Sequence, residues 1–147
     1  MGFSVSGSAA IIFVAAFIGF GMFYTATANS FERVTNAREA SADQALEEAN
    51  TGIRLDSVVY NSTADSLNVT ATNTGSTSLE VSEVDVLANN EYLTGYRTAV
   101  EGDTATDLWL PAERLVVNAT GITTDPGRVK VVTGPGVSEI DTTTEVS

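Results

Sequence analysis

Cysteine and histidine are both missing from the 147 residues. Without cysteine there is neither a disulfide framework nor a thiolate metal site. Without histidine the commonest general base and metal ligand near neutral pH is gone, so neither Ser–His–Asp nor Cys–His catalysis can be assembled. Positive charge is scarce as well. Six arginines and one lysine, Lys130, face 19 Asp and Glu, for a net charge of −12. Such a surface repels nucleic acid, whose binding requires phosphates to be neutralised. The acidic excess reads as solvation and suits a proteome adapted to high salt, where screening over about 3 Å makes it tolerable.

What the chain does have is one long uncharged run. Ser8 to Ala28 carries no ionisable side chain before Glu32, apart from the phenol of Tyr24. About 21 helical residues rise roughly 31 Å, the thickness of a bilayer's hydrocarbon core. Residues 1–28 are therefore expected to form a transmembrane anchor. A cleaved signal peptide is the competing reading, with Ala26–Thr27–Ala28 as its cleavage pattern. Against it, Met1 to Gly7 holds no Lys or Arg and the apolar core is long. A pilin-type processing site would need a basic residue before the cut, and none lies upstream. Met1–Ser6 also fits an N-myristoylation pattern, to which a neighbouring span leaves little to add. Ala15 and Gly19 form a small-xxx-small pair that would admit a second helix, making a homodimer a candidate. Arg33 and Arg38 are accompanied by Glu32 and Glu39, so charge bias does not orient the span.

Residues 29–52 read as a helical stalk. Phe31, Val34, Arg38, Ala42, Ala45, Leu46 and Ala49 recur near helical spacing, and Asn50–Thr51–Gly52 supplies a stop with Gly suited to a left-handed C′ position. The stripe is thin and mostly Ala, so such a helix needs a partner or continuity with the anchor. If continuous, about 22 residues would span roughly 33 Å.

Past Gly52 the period changes from helical to alternating. Ile53–Asn61 and Leu67–Asn73 read as strands, with Leu67, Val69 and Ala71 facing a core. Leu79–Leu87 changes phase near Ser82–Glu83, which predicts a bulge or bend. Further strands are expected at Tyr92–Thr98, Thr106–Leu110, Leu115–Ala119 and Arg128–Thr133. Asn73–Thr74–Gly75, Asn89–Asn90 and Asp125–Pro126–Gly127 are turn signals. About seven short strands at this spacing predict an all-β immunoglobulin-like sandwich over 53–140, followed by a flexible polar tail at 141–147.

Three sequons, at Asn61, Asn68 and Asn118, are candidate N-glycosylation sites, and all fall at predicted outer-face or strand-end positions. They favour placing the domain outside the cell. Glu80, Glu83 and Asp85 form one acidic group, and Glu101, Asp103 and Asp107 a second. Paired carboxylates can serve acid–base chemistry or calcium, but neither group has EF-hand spacing in a chain acidic throughout, so both read as solvated faces. Trp109 is either a partner-binding anchor or a core aromatic. No catalytic residue, metal ligand or cofactor site is expected.

The opening MGFSVSGSAAIIFVAAFIGFGMFYTATANSFERV, the segment LNVTATNTGSTSLEVSEVDVL and the later DLWLPAERLVV, taken in order, resemble the archaellum accessory protein F family (FlaF) of haloarchaeal type. The likeness covers most of the chain. It implies a single-pass protein of the cytoplasmic membrane with an extracellular, pseudoperiplasmic sandwich. It also implies partners, the S-layer protein and an archaellum protein of the G family, and a non-enzymatic stator role in swimming. The alternative on the same plan is an archaellin or type IV pilin-like filament subunit. An anchored hydrolase using two carboxylates is a third reading that nothing further in the residues supports.

Overall fold

The computed structural model describes residues 3–147, so the N-myristoylation pattern at Met1–Ser6 begins outside the described residues. One helix, α1 (Phe3–Asn50), takes in the apolar run and the stalk segment without a break. The chain divides into two compact units, Met1–Asp43 and Gln44–Ser147.

In the first unit the apolar side chains have nothing to pack on. Phe13, Phe17, Phe20 and Phe23 all stand exposed, as do Ile11, Ile12 and Ile18. A helix apolar all round belongs either in a core or in lipid. Among the described residues this is the one helix long and apolar enough to cross a membrane. Three of its hydroxyls are made compatible with lipid by bonds to their own helix. Thr25 Oγ1 donates to Met22 O at 3.0 Å, Thr27 Oγ1 to Phe23 O at 2.8 Å and Ser30 Oγ to Ala26 O at 2.8 Å. That back-bonding hides the polar group from hydrocarbon.

The second unit is a β-sandwich. Its strands are β1 (Ile53–Asn61), β2 (Ser66–Asn73), β3 (Leu79–Glu80), β4 (Asp85–Ala88), β5 (Glu91–Tyr92), β6 (Arg97–Val100), β7 (Leu108–Trp109), β8 (Arg114–Thr120), β9 (Arg128–Val132), β10 (Ser138–Thr142) and β11 (Thr144–Val146). A five-stranded sheet runs β11-β1-β2-β8-β6, a four-stranded sheet β10-β9-β4-β5, and β3 and β7 make a small ribbon. All contribute to one hydrophobic core. Alternation places each inward residue. On β2, Leu67, Val69 and Ala71 are buried as the pattern requires, Val117 lies beside Val69 on β8 of the same sheet, and Val131 joins the core from β9 of the other. Burying one such side chain contributes about 1.5–3 kcal/mol.

The phase change expected near Ser82–Glu83 is a short 3₁₀ turn, Val81–Glu83, rather than a bulge. The tighter turn lets Leu79, Val81, Val84 and Val86 all reach the core although their spacing is mixed. The Asn89–Asn90 turn is as read: φ is 49° and 71°, and the pair joins β4 to β5 as a two-residue hairpin. The strand expected over Tyr92–Thr98 is broken between β5 and β6, where Gly95 sits at φ 76°. Thr106–Leu110 contracts to the two residues of β7.

Two expectations are corrected. The tail at 141–147 is not frayed. β10 ends at Thr142, and after Thr143 the chain crosses to the other sheet, where β11 pairs in parallel with β1 as Val59↔Thr144 and Asn61↔Val146. A polar sequence gives no sign of this because the pairing is made by backbone. Gly52 is not a left-handed cap either, since it is absent from the positive-φ residues. Helix α1 is stopped instead by the loop after β2. Ser76 N donates to Asn50 O at 2.8 Å, and Thr74 N to Gly52 O at 2.8 Å. The Asn50 carbonyl is one that a helix end would otherwise leave open, and the Gly52 bond holds the chain just beyond it. Gly75 is needed there for space, because a Cβ would lie 2.5 Å from both Asn50 O and Gly52 N.

Candidate partner-binding surface

Trp109 lies between the two main sheets with no exposed surface. Its Nε1 donates to Glu113 O at 2.9 Å. The ring therefore fills the core, and its use as a partner anchor is corrected: no part of it reaches solvent. Next to it, Asn73 is equally buried. Its Nδ2 donates to Thr77 O at 2.8 Å and Trp109 O at 3.2 Å, and its Oδ1 accepts from Gly75 N at 3.0 Å. The sequence reads Asn73 both as the last residue of a strand and as the first of a turn, and does not assign its side chain to the core. The signal that could have located it is its parity with Leu67, Val69 and Ala71 on β2.

The acidic groups are used locally. Asp107 accepts from Ser82 N at 2.7 Å and Ser82 Oγ at 2.8 Å, which ties the ribbon to the 3₁₀ turn. Asp103 accepts from Ala105 N, Glu101 from Arg114 N and Glu113 from Leu110 N, each at 2.8 Å. Among the described residues no three acidic side chains converge as a metal site. The larger hollows, about 370 Å³, lie along α1 between its own apolar side chains, such as Phe13, Ala16, Phe17 and Phe20. They bring together no polar groups and offer no chemistry.

Two of the three sequon asparagines come together. Asn68 on β2 and Asn118 on β8 are direct cross-strand partners on the outer face of the five-stranded sheet, both half-buried. Paired residues there have Cβ atoms about 5 Å apart. Asn61 stands apart at the β1–β2 turn, where its Oδ1 accepts from Thr63 N at 3.0 Å and Ala64 N at 2.7 Å. At the far end of the same face, Asp56 accepts from Arg54 Nε at 2.9 Å and from Thr72 Oγ1 at 2.5 Å. The Thr72 bond, with Arg54 beside it, holds the Asp56 carboxyl below its usual range against the opposing effect of burial. The polar face that results, with short side chains between its charges, is the surface on which the domain could meet another protein.

The sequence profile of the archaeal-type flagellin family matches residues 2–143. Among solved structures, the archaellum periplasmic stator protein FlaG from Sulfolobus acidocaldarius is similar at 12% identity and a TM-score of 0.45, covering 62% of this chain and 97% of that one. The complex of FlaF and FlaG from the same organism is similar at 14% identity and 0.43, covering 60% and 85%. The ligand-binding region of serine-glutamate repeat protein A of Enterococcus faecium follows at 10% and 0.34, covering 65% and 98%. No curated protein matches.

Proposed function

The chain belongs to the archaeal-type flagellin family, and from that premise we propose that it is a non-enzymatic part of the archaeal swimming apparatus, an envelope-anchored stator component. The family match over residues 2–143 is the observation that carries a place in the swimming apparatus, and the stator role within it follows the resemblance to the F family. In it, Ser8–Ala28 is a retained membrane anchor, residues 29–52 are a spacer, and the sandwich lies outside the cytoplasmic membrane. The S-layer protein and a G-family archaellum protein are its partners. The helix supports the first point, being apolar on all sides with the Thr25, Thr27 and Ser30 hydroxyls bonded to their own helix. Carboxylates engaged on backbone amides, in a chain without histidine or cysteine, support a role without catalysis. The acidic composition supports a cell that works at high salt.

Deleting the protein should abolish swimming while filaments still assemble, and unchanged swimming would overturn the proposal. Capture of the full-length chain in detergent by purified S-layer protein at molar salt tests the partner.

The family match also favours a second reading, a filament subunit whose apolar helix packs in a fibre core. Protein distributed along sheared filaments would decide for the second reading.

A further inference from the structure

Against a net charge of −12, three of the six arginines leave the domain from a single sheet face. Arg54, Arg97 and Arg114 all occupy outward positions on the five-stranded sheet, since each is paired in register with an outward residue: Arg54↔Thr72, Arg97↔Asn118 and Thr72↔Arg114. Arg54 is held by Asp56 at 2.8 Å, and among the described residues that is the one ion pair. The carboxylates nearest this face are already occupied, Asp56 by Arg54 and Thr72 and Glu101 by the Arg114 amide. Arg97 and Arg114 are exposed and, among the described residues, form no ion pair, although Arg114 lies near enough to Asp56 to help hold its carboxyl down. Between them the ground is short: Ser57, Thr70, Val116 and Ala99 share one row across β1, β2, β8 and β6. Beside Arg97 opens a polar cleft of about 230 Å³ lined also by Gly95, Asn118 and Thr120.

We propose that this outer face of the five-stranded sheet docks an acidic protein segment whose carboxylates engage Arg97 and Arg114. The proposal is independent of the archaellum reading. A guanidinium is weakly hydrated and grips a carboxylate with two parallel bonds, which is why Arg is enriched where interfaces carry their energy. A flat row of small side chains lets another backbone or side chain come close. The acidic remainder of the chain repels an anionic partner, so its approach is oriented toward basic ground. Of the domain's other basic pair, Arg128 and Lys130 on the four-stranded sheet, Arg128 already engages Asn90. A second copy of the chain is the less fitting occupant, because two bodies of −12 repel everywhere outside the patch. The sequons acquire a consequence: a glycan on Asn68 or Asn118 would lie over the same ground and close it.

The test uses the full-length chain in detergent micelles and a fluorescent poly-glutamate peptide of about 20 residues, at the lowest salt that leaves the melting transition unchanged. Wild type should bind, and affinity should fall as salt rises. The double variant Arg97→Glu/Arg114→Glu should lose about tenfold or more, whereas Arg128→Glu/Lys130→Glu on the four-stranded sheet should lose no more than about twofold. If the reversal melts early, the milder Arg97→Gln/Arg114→Gln pair, expected to lose about threefold, becomes the readout. Three outcomes would overturn the proposal: no binding by wild type, equal loss in both double variants, or self-association in sedimentation that the Arg97/Arg114 reversal abolishes.

Discussion

Both ends of the sandwich are fastened, and they are fastened by opposite means. Where α1 enters, the fastening rests on buried groups: Asn73 and Trp109 have no exposed surface, Asn73 holds the Gly75 amide and the Trp109 carbonyl, and the adjoining loop amides of Ser76 and Thr77 donate to Asn50 O. Where the chain leaves, it is exposed. Asp125 accepts from Gly127 N at 2.8 Å and from Thr143 Oγ1, and Ser62 N donates to Val146 O at 3.1 Å, all at positions open to water. The same type of bond is present in both places. What differs is the alternative offered when it breaks, which is water at the exit and an unsatisfied buried group at the entrance.

That difference is broken hardest at Trp109. Replacing it with Ala should remove about 3–5 kcal/mol, a large share of a small domain's stability, and urea unfolding measures it. Trp109→Phe should cost less, since Glu113 O loses the indole donor but keeps the Asn73 amide at 3.1 Å. Asn73→Ala comes next. It takes the Asn73 amide away from the Thr77 and Trp109 carbonyls and leaves the Gly75 amide with Gly52 O alone, at about 2–4 kcal/mol in the same assay. If Asn73→Ala were as mild as a change at Asp125, burial would not be what separates the two ends. Gly75→Ala should cost about 1–3 kcal/mol, because backbone rather than a flexible side chain must yield.

How much of this the residues announce depends on which part of each residue does the work. Inward positions on β2 were legible because Leu67, Val69 and Ala71 alternate with polar neighbours, and burial follows alternation. The Asn89–Asn90 hairpin was legible because positive φ selects those residues. The helix was legible from hydropathy and length. Asn73 continues the inward parity but breaks the chemistry, so a buried knot resembles a loop. β11 was hidden because Thr144, Glu145 and Val146 pair through backbone alone. The candidate docking face was hidden for a third reason. Arg54, Arg97 and Arg114 are far apart in the chain, and only the register of four strands brings them to one side.

The smallest effect, and the one that sharpens the comparison most, is expected at Asp125. Its carboxyl sits below its usual range, chiefly through the Thr143 hydroxyl and then the Gly127 amide. A depressed folded pKa means a contribution that is present above the unfolded value, 3.8, and lost as pH falls through the folded one. Asp125→Asn can accept the same two hydrogen bonds but cannot titrate. The wild type should therefore be slightly more stable than the variant near neutral pH, and the gap should close below about pH 4. Urea midpoints of both proteins across that window measure it. A gap that stays constant with pH would show that the carboxylate's charge adds nothing at the exit. Asp56→Asn should behave alike, with the loss of its Arg54 ion pair added near neutral pH. Neither substitution should approach the cost at Asn73, since both carboxylates exchange a protein partner for water.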